Sequence, residues 1–547
     1  MGIVNIDKVS YATAGFGDLL THDLACGVAA AQEFFPAQRW EDVASQVDAR
    51  PAVRGELWGV LEQSSAASGA PEAALGNLRK LRQPHTYVVA TGQQAGFLGG
   101  PLYTLHKALS AVKLARKLEA EAQGRASFVP LFWVAGDDHD LAEIDHADFL
   151  LEDGTVVREG AALAADSQGR SACDVMALQD PLYRERLLLS LARHLKDDAA
   201  AARYLAAYVG VDMAEAFARL LYQWLGGLGL VVVQSSALRA FAAPILLREL
   251  EEHDVTSRLI HEAALEMQRR GYMPGFSAHS RFMPHFFVAR EPRRLRVRLE
   301  PLEGGGFQER GAALPEEPRK FSRDELAALL SAQPQLFSAD AALRPVVQQY
   351  LFPVVAAVLG PGEISYWAQL RKLHARFGVA WPLVVPRATL TLLDVHAVKA
   401  LRKLGLAPAD PELFQKYEAL QRKVQFPGTV RGKLDACLAR IRTELDVLAG
   451  EVQTADTSMK SMFDKARSRI EHELGRIAEK AKGALGQRED AGALRLRYLA
   501  ALVRPRNRPQ ERVLNTGQFA ARYPALAQDL LEVIEPGSGE HTIVTLE

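Results

Sequence analysis

Two short stretches gather the residue types that move protons and hold charge. In "GDDHDLAEIDH" (residues 136–146), Asp137, Asp138, His139, Asp140, Glu143, Asp145 and His146 crowd together behind an apolar run. A carboxylate beside an imidazole is a minimal set for acid/base work, because histidine titrates near neutral pH unaided. If a helix starts near Asp138, then His139, Glu143 and His146 share one face at i, i+4 and i+7. That spacing suits an acid/base pair or a metal. Helix capping by Asp137 or Asp138 is the plainer use of one or two of these acids. The whole cluster reads as a polar active-site wall. No third strong ligand set accompanies it, so no metal ligands are assigned and a metal requirement stays open.

The second stretch is "TGQQAGFLGGPLYTLHK" (residues 91–107), with Gln93, Gln94, Gly99, Gly100, Tyr103, His106 and Lys107. Pro101 fits the first turn of a helix. Free backbone N–H groups there, with the helix dipole, would favour phosphate or carboxylate. The pattern is neither GxGxxG nor Walker A, so no standard nucleotide loop is assigned. A glycine turn with exposed polar residues is the plainer reading. Glu363 and Tyr366, one turn apart after Gly360-Pro361-Gly362, could face a substrate. Arg387, at the end of "PLVVPR", could hold a carboxylate or phosphate bidentately.

These residues need elements that bring them together. "TYVVA" (residues 86–90), "FVPLFWVAG" (128–136), "LGLVVVQSS" (228–236) and "PLVVPR" (382–387) are short apolar runs that read as buried strands. A helical period over residues 101–121 separates the first two, which makes a βαβ unit and a parallel sheet covered on both faces. In such sheets ligands bind beyond the carboxyl ends of the strands, where both stretches fall. Residues up to about Arg82 read as mostly helical. The reading is an α/β protein with a Rossmann-like core over 1–150, 228–275 and 331–408. A first insertion covers 151–227, opening on the hairpin-like "DFLLEDGTVVRE", and a second, antiparallel one covers 276–330. Leu434, Leu438, Ile441, Leu445 and Leu448 begin a heptad that runs on through Met459 and Met462, so 409–505 reads as a coiled coil. One long helix and a hairpin broken at "TADTS" (454–458) both fit. A tail over 506–547, basic and proline-containing before a last helix, packs back on the core.

The composition excludes some classes. With 65 basic and 66 acidic residues in 547, the net charge of -1 gives no global case for nucleic acid or membrane partners. The basic runs "REPRRLRVR" and "RPRNRP" read as solvated faces. Three scattered cysteines, Cys26, Cys173 and Cys437, argue against a disulfide scaffold or zinc ribbon. They fit a reducing cytoplasm, as does the lack of a signal-like N-terminus or a ~20-residue apolar span.

Taken with "RPVVQQYLFPVVAAVLGPGEISYWAQL" (344–370) and "QERVLN" in the tail, these stretches resemble the bacillithiol biosynthesis cysteine-adding enzymes, a family of cysteine ligases. The resemblance runs in order over nearly the whole chain. It implies a Rossmann-like core, two connecting insertions and a coiled coil that forms a homodimer. It implies joining L-cysteine to the glucosamine amine of glucosaminyl malate. ATP or another nucleotide is what amide formation would need. The core is similar in turn to nucleotidyl-transferring enzymes whose His-Ile-Gly-His signature follows Gly-Pro-Leu. Laid on "GPLYTLHK", Tyr103 and His106 take the histidine places and Leu105 stands where the adenine-admitting glycine should be. On this reading His106 and Lys107 stabilise negative charge at an activated carboxyl. His139, helped by Asp137, Asp138 or Asp140, is base or substrate holder, and Gln93, Gln94, Gly99, Gly100, Tyr103, Glu143, His146, Glu363, Tyr366 and Arg387 position substrate. A nucleotide-binding scaffold acting through its coiled coil, or a metal hydrolase built on residues 136–146, are the other readings.

Overall fold

The computed structural model describes residues 2–49, 55–276, 283–311, 314, 317–414, 428–455 and 460–547. At its centre β2 (Thr86–Gln93), β3 (Ser127–Val134), β6 (Val231–Gln234), β12 (Val354–Leu359) and β13 (Leu383–Pro386) form one all-parallel sheet, in the order β13-β12-β2-β3-β6. Alternate side chains bury opposite faces. Val88, Ala90, Val129 and Leu131 join one core, while Tyr87 and Val89 pack under Ala111, Ala115 and Leu118 of the helix Tyr103–Ala122. Strand order reverses between β2 and β12, which makes the crevice beyond their carboxyl ends the switch point of a Rossmann-like sheet. β12 is the strand missed in the sequence. "VVAAVL" is a continuous apolar run, and periodicity cannot separate such a strand from a buried helix.

A second sheet adds one strand to an N-terminal stretch that is otherwise helical, with six helices between Tyr11 and Lys80 among the described residues. β1 (Ile3–Ser10) pairs antiparallel with β15 (Glu540–Leu546), and β15 pairs parallel with β14 (Thr389–Leu393). Both ends of the chain therefore meet in one sheet. Local pattern cannot show a strand whose partner lies at the far end of the sequence.

β4 (His146–Leu150) and β5 (Val156–Gly160) form an antiparallel hairpin, followed by the helices Pro181–Leu195, Asp198–Ala206 and Met213–Leu225. The other insert is a five-stranded antiparallel sheet of β7 (Phe286–Arg290), β8 (Leu295–Pro301), β9 (Phe307–Arg310), β10 (Lys320–Phe321) and β11 (Phe337–Ala339), in the order β10-β9-β8-β7-β11. Its last strand lies past residue 330. The helices Gly428–Ala455 and Lys460–Val503 pack on each other, with Arg467 paired to Asp446, so this region is a helical hairpin. Residues 456–458 of the expected cap "TADTS", and Met459, lie outside the described residues.

The tail holds two helices, Thr516–Arg522 and Leu526–Val533, before β15. Its side-chain amides replace missing backbone partners, which buried peptide groups require. Gln510 bonds both the N–H and C=O of Leu392, Gln518 does the same at Leu150, and Asn515 donates to the carbonyls of Leu98 and Gly100. The tail thereby fixes the glycine turn from beneath.

Candidate active site beyond the sheet's carboxyl ends

Lys107 stands between the two strands where the order reverses. Its ammonium donates to the Gly92 carbonyl at 2.8 Å and to Gln93 Oε1 at 2.7 Å, and pairs with Glu363 Oε2 at 2.6 Å. Glu363 in turn accepts from the Gly360 N–H at 2.8 Å. Three donors meet three acceptors, so the ammonium is satisfied. Burial pulls its pKa down and Glu363 opposes this, leaving it lowered. Lys107 and Glu363 thus tie the end of β2 to the segment after β12.

His106 and Arg387 do not reach this crevice as free groups. His106 is fully buried, and its Nδ1 lies 2.9 Å from Glu511 Oε2. Arg387, also buried, grips both oxygens of the same carboxylate, with Nη1 2.8 Å from Oε2 and Nη2 on Oε1. Burial alone would raise the Glu511 pKa; Arg387 and His106 outweigh it and hold the carboxylate ionised. The fork of Arg387 does hold a carboxylate bidentately, but one supplied by the tail. Glu511 carried no local signal beyond its place in "QERVLN".

The glycine turn also differs from the expected anion cradle. Gly99 and Gly100 adopt φ of 81° and 70°, and a side chain at Gly99 would run into the Trp224 ring. The turn's N–H groups are spent internally: Gly99 on Gly96, Gly100 on Phe97, Leu98 on the Tyr208 hydroxyl, and Leu102 on Leu514. The helix begins at Tyr103 rather than Pro101, and Leu105 is buried in the core.

Residues 136–146 build the wall of a cavity. Asp137 Oδ1 accepts from Arg239 Nε at 2.7 Å. Asp138 accepts from Gln94 Nε2 at 2.7 Å and from the Asp140 N–H at 3.1 Å. Burial pushes the Asp138 pKa up, but that N–H, Arg296 and Gln94 outweigh it, so it stays below its ordinary value. Arg296 Nη1 donates to His139 Nδ1 at 3.0 Å. Burial first, and this cation second, push the His139 pKa down. The imidazole is therefore neutral at pH 7 and carries its proton on Nε2. Asp140 is exposed and touches the others through its backbone.

The shared helical face of His139, Glu143 and His146 does not exist. The helix here is a single turn, Leu141–Ile144, because Ala161 N–H bonds Asp145 C=O and draws His146 into β4 opposite Gly160. His146 and Glu143 instead line a smaller cavity of about 60 Å³ with Gln93, Tyr103, Arg508 and Arg512. Tyr103 there accepts from Gln93 Nε2 at 3.2 Å. Arg506 pairs with Asp148, so "RPRNRP" is not a plain solvated face. Gln94 and Glu143 line both this cavity and the open groove outside His139. Among the described residues no three His, Cys, Asp or Glu side chains converge as a metal would need.

The main cavity, about 200 Å³, is lined by Asp137, Asp138, His139, Arg239, Arg296, Arg298, Asp340 and Arg344, and opens into a groove sharing His139 and both β8 arginines. Arg296 and Arg298 alternate along β8 with the buried Val297 and Leu299, and both lie over the Phe287 ring, at 3.8 Å and 4.4 Å. The alternation of "LRVRLE" marks a half-buried strand; what it hides is that the arginine face meets the cavity. Glu363 and Tyr366 do not act as a pair, since Tyr366 accepts from Arg344 at 2.9 Å while Glu363 serves Lys107.

An arginine-lined cavity beyond the carboxyl ends of β3 and β6 in a Rossmann-like sheet, with a helical hairpin beyond the core, is one architecture along the whole chain. Residues 5–388 match the family model for the bacillithiol biosynthesis BshC N-terminal Rossmann-like domain, and residues 390–546 match its C-terminal coiled-coil domain. The chain belongs to this family. It is 30% identical to a Salinibacter ruber protein named "Putative cysteine ligase BshC", over 97% of each chain. Proteins of the same name from Geobacillus thermodenitrificans (28%, over 96% of this chain and 97% of the other) and Koribacter versatilis (26%, over 99% of each) are similar along the same length. In BshC terms the Arg387–Glu511 pair joins the N-terminal match to the C-terminal one. No helix among the described residues is long and apolar enough to cross a membrane.

Proposed function

We propose that this protein is a ligase that joins the carboxyl group of L-cysteine to the glucosamine amine of glucosaminyl malate, forming bacillithiol. The observation that carries the reading is the placing of His139, its Nδ1 3.0 Å from Arg296 and 3.9 Å from Asp138 Oδ1, in a cavity rich in guanidinium groups. The attacking amine must lose a proton, and the activated carboxyl gathers negative charge. Asp138 holds the sugar ammonium. His139 takes its proton once Arg296 turns from Nδ1 to a substrate anion, since that lone pair is otherwise occupied. Arg296 then stabilises the developing oxyanion.

A nucleotide would supply the activating phosphoryl or adenylyl group when bound. The ordinary seat over the first βα turn does not fit one, because N–H groups of the turn are spent and Leu105, where the related signature has a glycine, packs in the core. Arg508 and Arg512, with no carboxylate partner among the described residues, would hold its phosphates in the smaller cavity. The homodimer is formed through the helical hairpin, where Leu448 and Ile470 stand exposed at heptad positions. L-Cysteine and glucosaminyl malate are the partners of the site; nucleic acid and membrane are not.

The reading is tested in a strain that lacks its own cysteine-adding enzyme, with bacillithiol measured by thiol labelling. This chain restores the thiol, and His139→Ala lowers it on the order of 100-fold at equal protein level. Full thiol production by His139→Ala removes the site from the reaction.

A further inference from the structure

We infer that Arg298 and Arg344 read the dicarboxylate end of the acceptor, so that this cavity selects a glucosamine glycoside bearing two carboxylates. The inference rests on the ligase reading and assigns a selectivity that the catalytic residues do not supply. Four guanidinium groups line the main cavity. Two are committed. Arg239 is held by Asp137, and Arg296 is spread over His139, the Ser338 hydroxyl and the Ala339 carbonyl.

Neither of the other two has a carboxylate at hydrogen-bond distance among the described residues. Arg298 makes only a long ion pair, Nη1 3.5 Å from Asp340 Oδ2, and that carboxylate is shared with other donors. Oδ2 lies 3.0 Å from His285 Nδ1, and Oδ1 accepts from the N–H groups of Ala342 and Leu343. Arg344 donates to the Tyr366 hydroxyl, a neutral partner, and among the described residues no carboxylate lies within ion-pair reach of it. A guanidinium facing a cavity without a hydrogen-bonded counter-charge favours an anion, and its planar fork matches a carboxylate in two parallel hydrogen bonds. Arg298 is also pre-organised over the Phe287 ring, with 38% of its side chain exposed where it lines the groove. Two such forks match two carboxylates.

Phosphate shares this chemistry, so the experiment separates the two anions. Glucosaminyl malate binding is measured by calorimetry without cysteine or nucleotide, for wild type, Arg298→Ala, Arg344→Ala and Arg298→Lys. ATP binding is measured on the same proteins. Turnover is compared between glucosaminyl malate and methyl glucosaminide, which has the amine but no carboxylates. Each alanine variant is expected to weaken glucosaminyl malate binding on the order of 10- to 100-fold and to leave methyl glucosaminide turnover and ATP binding unchanged. Arg298→Lys recovers part of the loss because it keeps the charge. Unchanged glucosaminyl malate binding, or equal loss with both acceptors, overturns the inference. Weakened ATP binding with glucosaminyl malate binding intact assigns the arginines to the donor and overturns it too. Selective binding loss with no turnover by wild type sinks the ligase reading and leaves this inference standing.

Discussion

Burial first, and Arg296 second, keep His139 neutral, and Arg296 sets its tautomer, because a cation 3.0 Å from Nδ1 repels a second proton. The acid limb of kcat/KM is therefore expected below the ordinary imidazole range near 6.5. Arg296→Ala removes the cation, so the limb moves to higher pH, as a pH–rate profile would record. An unmoved limb means that a different group titrates in it. At this scale the acidic cluster was legible. Asp137, Asp138 and His139 stand on the cavity wall because a strand end behind "FVPLFWVA" had to carry them there. Glu511 and Arg296 were not legible. A buried carboxylate far along the chain and an arginine facing inward from a strand both look like ordinary charges until the fold places them.

The helix Arg371–Phe377 carries a buried imidazole that lies outside the site. His374 Nδ1 donates to the Leu370 carbonyl, and the ring packs on Trp367 and Trp381. Burial pushes its pKa down to about 4. The folded protein keeps this ring neutral, while the unfolded chain takes up a proton below about 6.5. Its contribution is thus fully present above pH 6.5 and is lost as pH falls towards 4, by roughly 3 kcal/mol at most. Glu249, pushed up to about 7 by burial, works in the opposite direction. The test is therefore a difference: thermal unfolding of His374→Phe should fall less steeply than wild type between pH 6.5 and 4.5, and parallel slopes would contradict the assignment. Among the elements, apolar runs with β-branched residues revealed four of the five core strands. β12, β1 and β15 escaped, the first because a continuous apolar run has no telling period, the others because each pairs with the opposite end of the chain.

The molecule closes on itself through Glu511. Arg387 and His106 belong to the part matching the Rossmann-like domain, and Glu511 to the part matching the coiled-coil domain. Glu511→Gln would leave a buried guanidinium without its counter-charge, at a cost of about 3–5 kcal/mol. A loss of that size in the unfolding free energy from urea titration, with a lower midpoint, is expected; an unchanged midpoint would show that the clamp does not hold the two parts together. The arrangement also explains why the site was only half readable: the strand-end loops lie in sequence order, but the clamp beneath them comes from the tail. The central claim concerns the reaction itself. Purified protein should be incubated with L-cysteine, glucosaminyl malate and each nucleoside triphosphate in turn, with product followed by mass spectrometry. The account predicts bacillithiol in the presence of one nucleotide, growing with time and abolished in His139→Ala. Absence of product with every nucleotide, from folded protein that binds glucosaminyl malate, would contradict it.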